Sequence, residues 1–324
     1  MTSLDTLLAW AGWPLIDTTQ GDAPQMVQMV DSILAAPTEH VGAATMVFQP
    51  TGPLTILNGA GTQPVYGEFA YLPQTTTVQA NYSRSQFAAY RSSYNLNRTL
   101  GWGPFIEFDS EPGAAAYGNT GQWLDGLYVQ NSDSTVTTDL NQGPLAAPAL
   151  APGVERIAYA GETYYLKAQL PGTTAATQFA VKAMRSYTLA QPDASHPIKP
   201  LVSPVQNPTI NGLSLFADRT GVTTTPTLAW TAPSLGTPQG YKIVVYQLSG
   251  GAGVPTTASV AHNVYLDGTQ TSLTLPSGIL VAGTTYCFKI VAYSDSTYDP
   301  TAAPYAANRF PYGLSESLSN LVTP

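Results

Sequence analysis

Over most of this chain apolar and polar residues alternate with a period of two, in short runs broken by Gly, Pro and Asn, which is the pattern of half-buried strands. The alternation begins after Val41 with Ala43 to Phe48. It continues through Thr55 to Leu57, Tyr66 to Tyr71 and Thr76 to Tyr82, and returns after Val154 in Arg156 to Ala160, Thr163 to Leu170 and Thr177 to Met184. Phe105 to Phe108 reads as a further strand. Such a chain is expected to be all-β, with residues 41–190 forming one β-sandwich domain.

Only the first forty residues suggest a helix. Asp22 stands as a cap before Pro24, and Met26, Met29, Val30, Ile33 and Leu34 follow at helical spacing, so residues 1–40 are expected to carry one short amphipathic helix packed on a sheet. Between Gln191 and Pro208 five prolines, Pro192, Pro197, Pro200, Pro204 and Pro208, remove backbone donors and hold their predecessors extended. Residues 191–208 therefore read as a stiff linker before a second β-domain at 209–324.

Beyond that segment strands recur at Gly212 to Phe216, Pro226 to Trp230, Gly240 to Leu248, Thr271 to Leu275, Thr285 to Tyr293 and Glu316 to Val322. Here Leu228-x-Trp230 is followed by Pro233, Tyr241 opens a long strand, and Leu280-Val-Ala-Gly283-Thr-Thr-Tyr286 precedes the penultimate one. These residues resemble the fibronectin type III family, an immunoglobulin-like sandwich. The resemblance implies that Trp230 is the buried tryptophan, that Tyr286 is the tyrosine whose phenol ties back to upstream backbone, and that Tyr241 also serves structure. Alternation puts Tyr286, Phe288, Ile290 and Ala292 on the core face, and Cys287 is expected on the outward one. The chain departs from the family by a long insertion from Ser294 to Gly313 and by the Gly-rich segment at Gly250 to Gly253.

Composition narrows the function classes. Charged residues make up 10% of the chain, against about 25% in an average domain, and the net charge is −8. That field repels a phosphate backbone, so no nucleic-acid partner is expected, and no run approaches the ~18 apolar residues of a membrane-spanning helix. One cysteine rules out an intrachain disulfide and a multi-thiolate zinc site. His40, His196 and His262 are isolated, and no nucleophile elbow, zinc-protease, phosphate-loop or dinucleotide signature is present, so no catalytic residues are assigned.

Two binding sites suggest themselves. Tyr and Arg most often anchor interfaces, and the Ser294 to Gly313 insertion carries Tyr298, Tyr305, Arg309, Phe310 and Tyr312. The resemblance adds that this loop is a recurrent contact site in the family. The alternative is a sugar-stacking or glycan-acting surface in the central region, where aromatics including Trp102 and Trp123 interleave with Asp109 and Asp125. Calcium is a possible ion among the loop carboxylates Asp109, Glu111, Asp125, Asp133 and Asp139, although their spacing matches no EF-hand. The leading expectation is a non-catalytic bacterial surface or secreted protein, similar in overall style to bacterial surface lipoproteins, whose export signal has been removed. It would bind a protein or glycan. A third reading is a structural subunit polymerising through edge strands.

Overall fold

The computed structural model describes residues 27–35, 39–50, 66–95, 105–113, 127–131, 133, 136–149, 155–188, 191–295, 299, 302–303 and 310–324. Among these residues the chain is all-β apart from one short helix and a single 3₁₀ turn, and no helix is long and apolar enough to cross a membrane. In the first half run β1 (Val27–Ala35), β2 (Glu39–Pro50), β3 (Gly67–Tyr71), β4 (Thr76–Tyr82), α1 (Arg84–Ala88), a 3₁₀ turn at Arg91–Ser93, β5 (Phe105–Gly113), β6 (Leu127–Asn131), β7 (Leu140–Ala147), β8 (Glu155–Ala168) and β9 (Thr177–Thr188). In the second half run β10 (Gln206–Ile210), β11 (Leu213–Ser214), β12 (Arg219–Thr220), β13 (Thr227–Thr231), β14 (Gly240–Ser249), β15 (Thr257–Asp267), β16 (Ser272–Thr274), β17 (Thr285–Ser294), β18 (Tyr312–Leu318) and β19 (Val322–Thr323).

The expected helix is a strand. β1 pairs antiparallel with β2, Ser32 opposite Val41 and Val27 opposite Val47, and Val30 and Ile33 are exposed rather than facing a core. An isolated helix of this length is marginal in water, while Val27, Val30 and Ile33 are β-branched and have a ready ladder beside them. Long-range pairing therefore overrides the helical spacing.

One large sheet runs through both halves of the chain in the order β1-β2-β6-β5-β8-β9-β18-β17-β14-β15. The junction is β9 with β18, where Tyr312 stands opposite Tyr187 and Leu314 opposite Arg185. That ladder is short because β9 bulges at Ala183, and the Glu316 carboxylate accepts the Lys182 N–H at 2.8 Å where the strands part. Below this point β9 swings across the sheet, and Phe179 meets Tyr246 of β14 edge to face at 4.9 Å.

Two main apolar clusters follow from this arrangement. The sheet β11-β10-β13-β16 supplies Ile210, Leu228 and Trp230 to one of them, and the large sheet supplies Tyr241, Ile243, Val245, Tyr286, Phe288 and Ile290. Full burial of each of these aliphatic and aromatic side chains is worth about 1.5–3 kcal/mol. The other cluster joins Val78, Ala80 and Tyr82 of β4 to Leu166 and Phe179, and reaches Leu248, Cys287 and Leu318 in the second half. Cys287 does lie on the face opposite Tyr286 and Phe288, but that face is not solvent. The first half of the chain covers it, and the thiol is fully buried.

The proline-rich segment is packed mainly between Pro200 and Val205, while Asp193 to His196 and Lys199 stay exposed. Several of its N–H groups find acceptors, Ile198 N on Asn81 O and Ser203 N on Leu235 O, while Leu201 N reaches Ser186 Oγ. The Ser203 hydroxyl accepts from Ser234 N and Leu235 N, and Val202 and Val205 enter the cluster around Trp230.

With one large sheet shared by both halves and apolar clusters that interlock, the chain is expected to unfold in one cooperative step. The Cys287 thiol should stay unreactive toward a chromogenic disulfide in the native protein and become reactive at the same urea concentration at which near-ultraviolet ellipticity is lost. Reactivity preceding that loss would mean that the second half opens separately.

Candidate functional site

Tyr298, Tyr305, Arg309, Trp102, Trp123 and Asp125 lie outside the described residues. Of the insertion residues, Phe310 and Tyr312 are described, and both are packed. Tyr312 opens β18 and stacks on Tyr187, with ring centroids 4.3 Å apart at 14°. Tyr187 in turn packs on Tyr159 at 5.0 Å, and Phe310 lies 5.5 Å from Tyr312. Tyr159, Tyr187 and Tyr312 are directly opposite one another in the ladders of β8, β9 and β18, and the Arg185 guanidinium sits 4.6 Å from the Tyr159 ring centre. Each ring pair contributes about 0.5–1.5 kcal/mol beyond burial, so the row fastens the end of the insertion to the first half. All three tyrosines are buried.

The same register row continues across the sheet. Asp109 of β5 stands opposite Tyr159 on one side and Tyr128 on the other, and Tyr128 stands opposite Gly42. The Tyr128 ring lies over Gly42, where a side chain would collide with it. Glycine at 42 thus gives the phenol room to lie on β2.

Trp230, Tyr241 and Tyr286 occupy the core that the sequence suggested for them. Trp230 and Tyr241 meet edge to face at 5.2 Å, and the Tyr286 hydroxyl accepts the Val281 N–H at 3.1 Å. The histidines stay apart. His40 faces Asp31 at 3.4 Å, His196 faces Asp193 at 3.2 Å, and His262 is exposed on β15. Among the described residues no three His, Cys, Asp or Glu side chains come close enough to hold a metal ion.

Two buried ion pairs frame α1. Arg84 Nη1 donates to Glu39 Oε2 at 2.9 Å, and Asn131 Nδ2 donates to the same oxygen at 3.3 Å. Arg91 holds Glu162 as a fork, Nη2 to Oε1 at 2.6 Å and Nε to Oε2 at 3.2 Å, while the Tyr164 hydroxyl donates to Oε2 at 3.2 Å. Glu162 has no solvent exposure, and among the described residues these donors stabilise its charge. Burial, reinforced by the Glu162 charge, pushes the phenols of Tyr82, Tyr94 and Tyr164 above the ordinary tyrosine range. The Glu162 hydrogen bond and charge raise Arg91 in spite of the opposing effect of burial. A carboxylate held by arginine and phenol and closed to solvent ties β8 to the 3₁₀ turn.

This network is a sequence signal that the motif reading missed. Glu162 shares the strand parity of Ala160, Tyr164 and Leu166, so it is a charge on the apolar face of β8. With only 12 Lys and Arg in the chain, two arginines seven positions apart are natural partners for such a charge.

The exposed aromatics lie elsewhere. Tyr66, Phe69 and Tyr71, on or beside β3, are 74%, 41% and 63% exposed, and Phe69 touches Phe48 of β2 edge to face at 5.5 Å. Clustered exposed aromatics mark contact surfaces more often than scattered ones do. No protein-family model matches the chain, and no curated protein matches it.

Two outcomes follow from the buried network. Arg91→Ala strands Glu162 and should cost about 3–5 kcal/mol by urea unfolding, with part regained when Glu162→Gln is added. Above pH ~10 the phenols of the unfolded chain ionise while the raised folded ones stay protonated, so stability falls by about 1.4 kcal/mol per pH unit for each of the three. Phenolate absorbance from Tyr82, Tyr94 and Tyr164 should therefore appear together with unfolding, and Tyr94→Phe should make the alkaline loss shallower.

Proposed function

We propose that this chain is a non-catalytic binding or structural protein of a bacterial cell surface, secreted or displayed, which engages a protein or glycan through exposed aromatic side chains. The observation that carries the reading is the group Tyr66, Phe69 and Tyr71, three large aromatics that are at least 41% exposed within six positions of one another on a chain whose other described aromatics are buried or half-buried. Tyr offers apolar area and a hydroxyl at low entropic cost, which suits both protein and sugar contacts. Tyr298, Tyr305 and Arg309 belong to the proposed contact set as well, with Phe310 and Tyr312 as the anchor of their segment.

The second half is proposed to be fibronectin-III-like. In support, β10, β13 and β16 share one sheet, β15, β14, β17 and β18 lie side by side in the other, and the Tyr286 phenol ties back to Val281. The fold hosts many roles, so it supports a surface module without choosing its ligand. A glycan-binding reading centred on Asp109 is favoured by one observation, the position of Asp109 between Tyr128 and Tyr159 on neighbouring strands.

Binding of the whole protein to cell envelopes and to a glycan array tests these readings. Tyr66→Ser combined with Phe69→Ser and Tyr71→Ser should lower envelope binding at least ten-fold with an unchanged melting temperature. Undiminished binding would remove β3 as the contact site, and glycan binding lost only in Asp109→Asn would move the site to β5.

A further inference from the structure

The edges of the described sheets are blunted in different ways, one of them by a single bulge only. Unpaired strand edges present rows of N–H and C=O groups that recruit further strands, and proteins guard them with shortness, proline, charge or bulges. The edge strands β11 and β16 of the second sheet have only two and three residues. In the β4-β7 ribbon β7 carries Pro144, and its partner β4 is hydrogen-bonded beyond the ribbon to Ile198. β3 is five residues long and contains Glu68, and β1, which ends the large sheet on one side, has Asp31 at its middle and two register breaks.

β15 ends the large sheet on the other side, and it is different. Its eleven residues, Thr-Ala-Ser-Val-Ala-His-Asn-Val-Tyr-Leu-Asp, contain no Lys, Arg, Glu or Pro. The single acid, Asp267, is the last residue, and one bulge at Ala261 is the only irregularity. Among the described residues its main chain is paired with β14, the Asp267 carbonyl at its end also accepts the Gln270 N–H at 3.0 Å, and Ser259, Val260, His262 and Asn263 are exposed, Val260 at 52%.

We infer that the outer edge of β15 is a self-association surface, which pairs antiparallel with β15 of a second copy to continue the large sheet across a two-fold axis. Antiparallel pairing is self-complementary by geometry, since each strand offers the same alternation of donors and acceptors. Charge selects the partner. About the two-fold the two Asp267 carboxylates lie at opposite ends of the paired strands, some 30 Å apart at ~3.4 Å per residue, well beyond the Debye length at physiological salt. The same operation on β1 brings the two Asp31 side chains toward each other near the centre. A neutral edge also suits a chain of net charge −8, because higher salt screens the repulsion between copies while leaving the main-chain hydrogen bonds intact.

The test is the mass of the whole protein in solution by sedimentation equilibrium over a range of concentrations and salt. A closed dimer that tightens with salt is expected. Val260→Lys with Asn263→Lys adds charge to the exposed edge and should weaken dimerisation at least ten-fold with an unchanged melting temperature, whereas Val281→Lys, on an exposed turn before β17, should not. A monomer at all concentrations, open-ended polymers, or a dimer indifferent to the two lysines would each overturn the assignment.

Discussion

The meeting of β9 and β18 is the contact on which the rest of the molecule depends. It consists of a three-residue ladder, a tyrosine stack and one carboxylate, and it makes a single sheet of strands from both halves of the chain. The ladder ends where β9 bulges against β8, Glu316 takes up the Lys182 N–H there, and beyond the bulge Phe179 lies on Tyr246. Lys289, 3.2 Å from Glu316, balances its charge in the partly buried cleft between the strands. A lone buried carboxylate would be costly there, so the lysine and the main-chain donor act together.

The scarcity of charge on this chain gives each interior ion pair a large share of the fold's specificity. Arg84 with Glu39 ties α1 to β2, and Arg91 with Glu162 ties the following 3₁₀ turn to β8. A short helix whose Ncap residue, Ser83, makes no side-chain cap, and whose first-turn Ser85 N–H relies on the distant Asp139 carboxylate, would have little reason to stay formed on its own. The two guanidinium groups fix it from both ends, and the aromatic rings of Tyr82, Phe87, Tyr94 and Tyr164 exclude water around them.

Local chemistry was the legible part. Alternation located most strands, and the fibronectin-type-III resemblance over Leu280 to Tyr286 implied a phenol tied back to upstream backbone, which in the structure is Val281 N. Trp230 and Tyr241 were equally readable as core. What escaped the sequence was whatever a distant strand decides. Residues 27–35 satisfy helical spacing and become a strand because β2 lies beside them. Cys287 was given the correct face, but alternation cannot say that Leu166 and Phe179, far away in sequence, belong to the cluster that covers that face. Tyr312 read as a contact residue for the same reason, since its stack on Tyr187 joins positions with no local relation. Glu162 was visible as a charge out of phase with its strand, but its meaning required Arg91.

The junction of β9 and β18 also bears on how the chain is made. β9 ends at Thr188 and β18 begins at Tyr312, so during synthesis the first half is complete, with Tyr187 and the N–H of Lys182 facing outward, before their partners have been translated. The nascent protein therefore carries an unpaired sheet edge and an uncovered apolar face around Phe179 until its last strands emerge. Pairing so distant in sequence is slow to form. Order of synthesis thus leaves the β9 edge without its native neighbour for more than a hundred residues of chain.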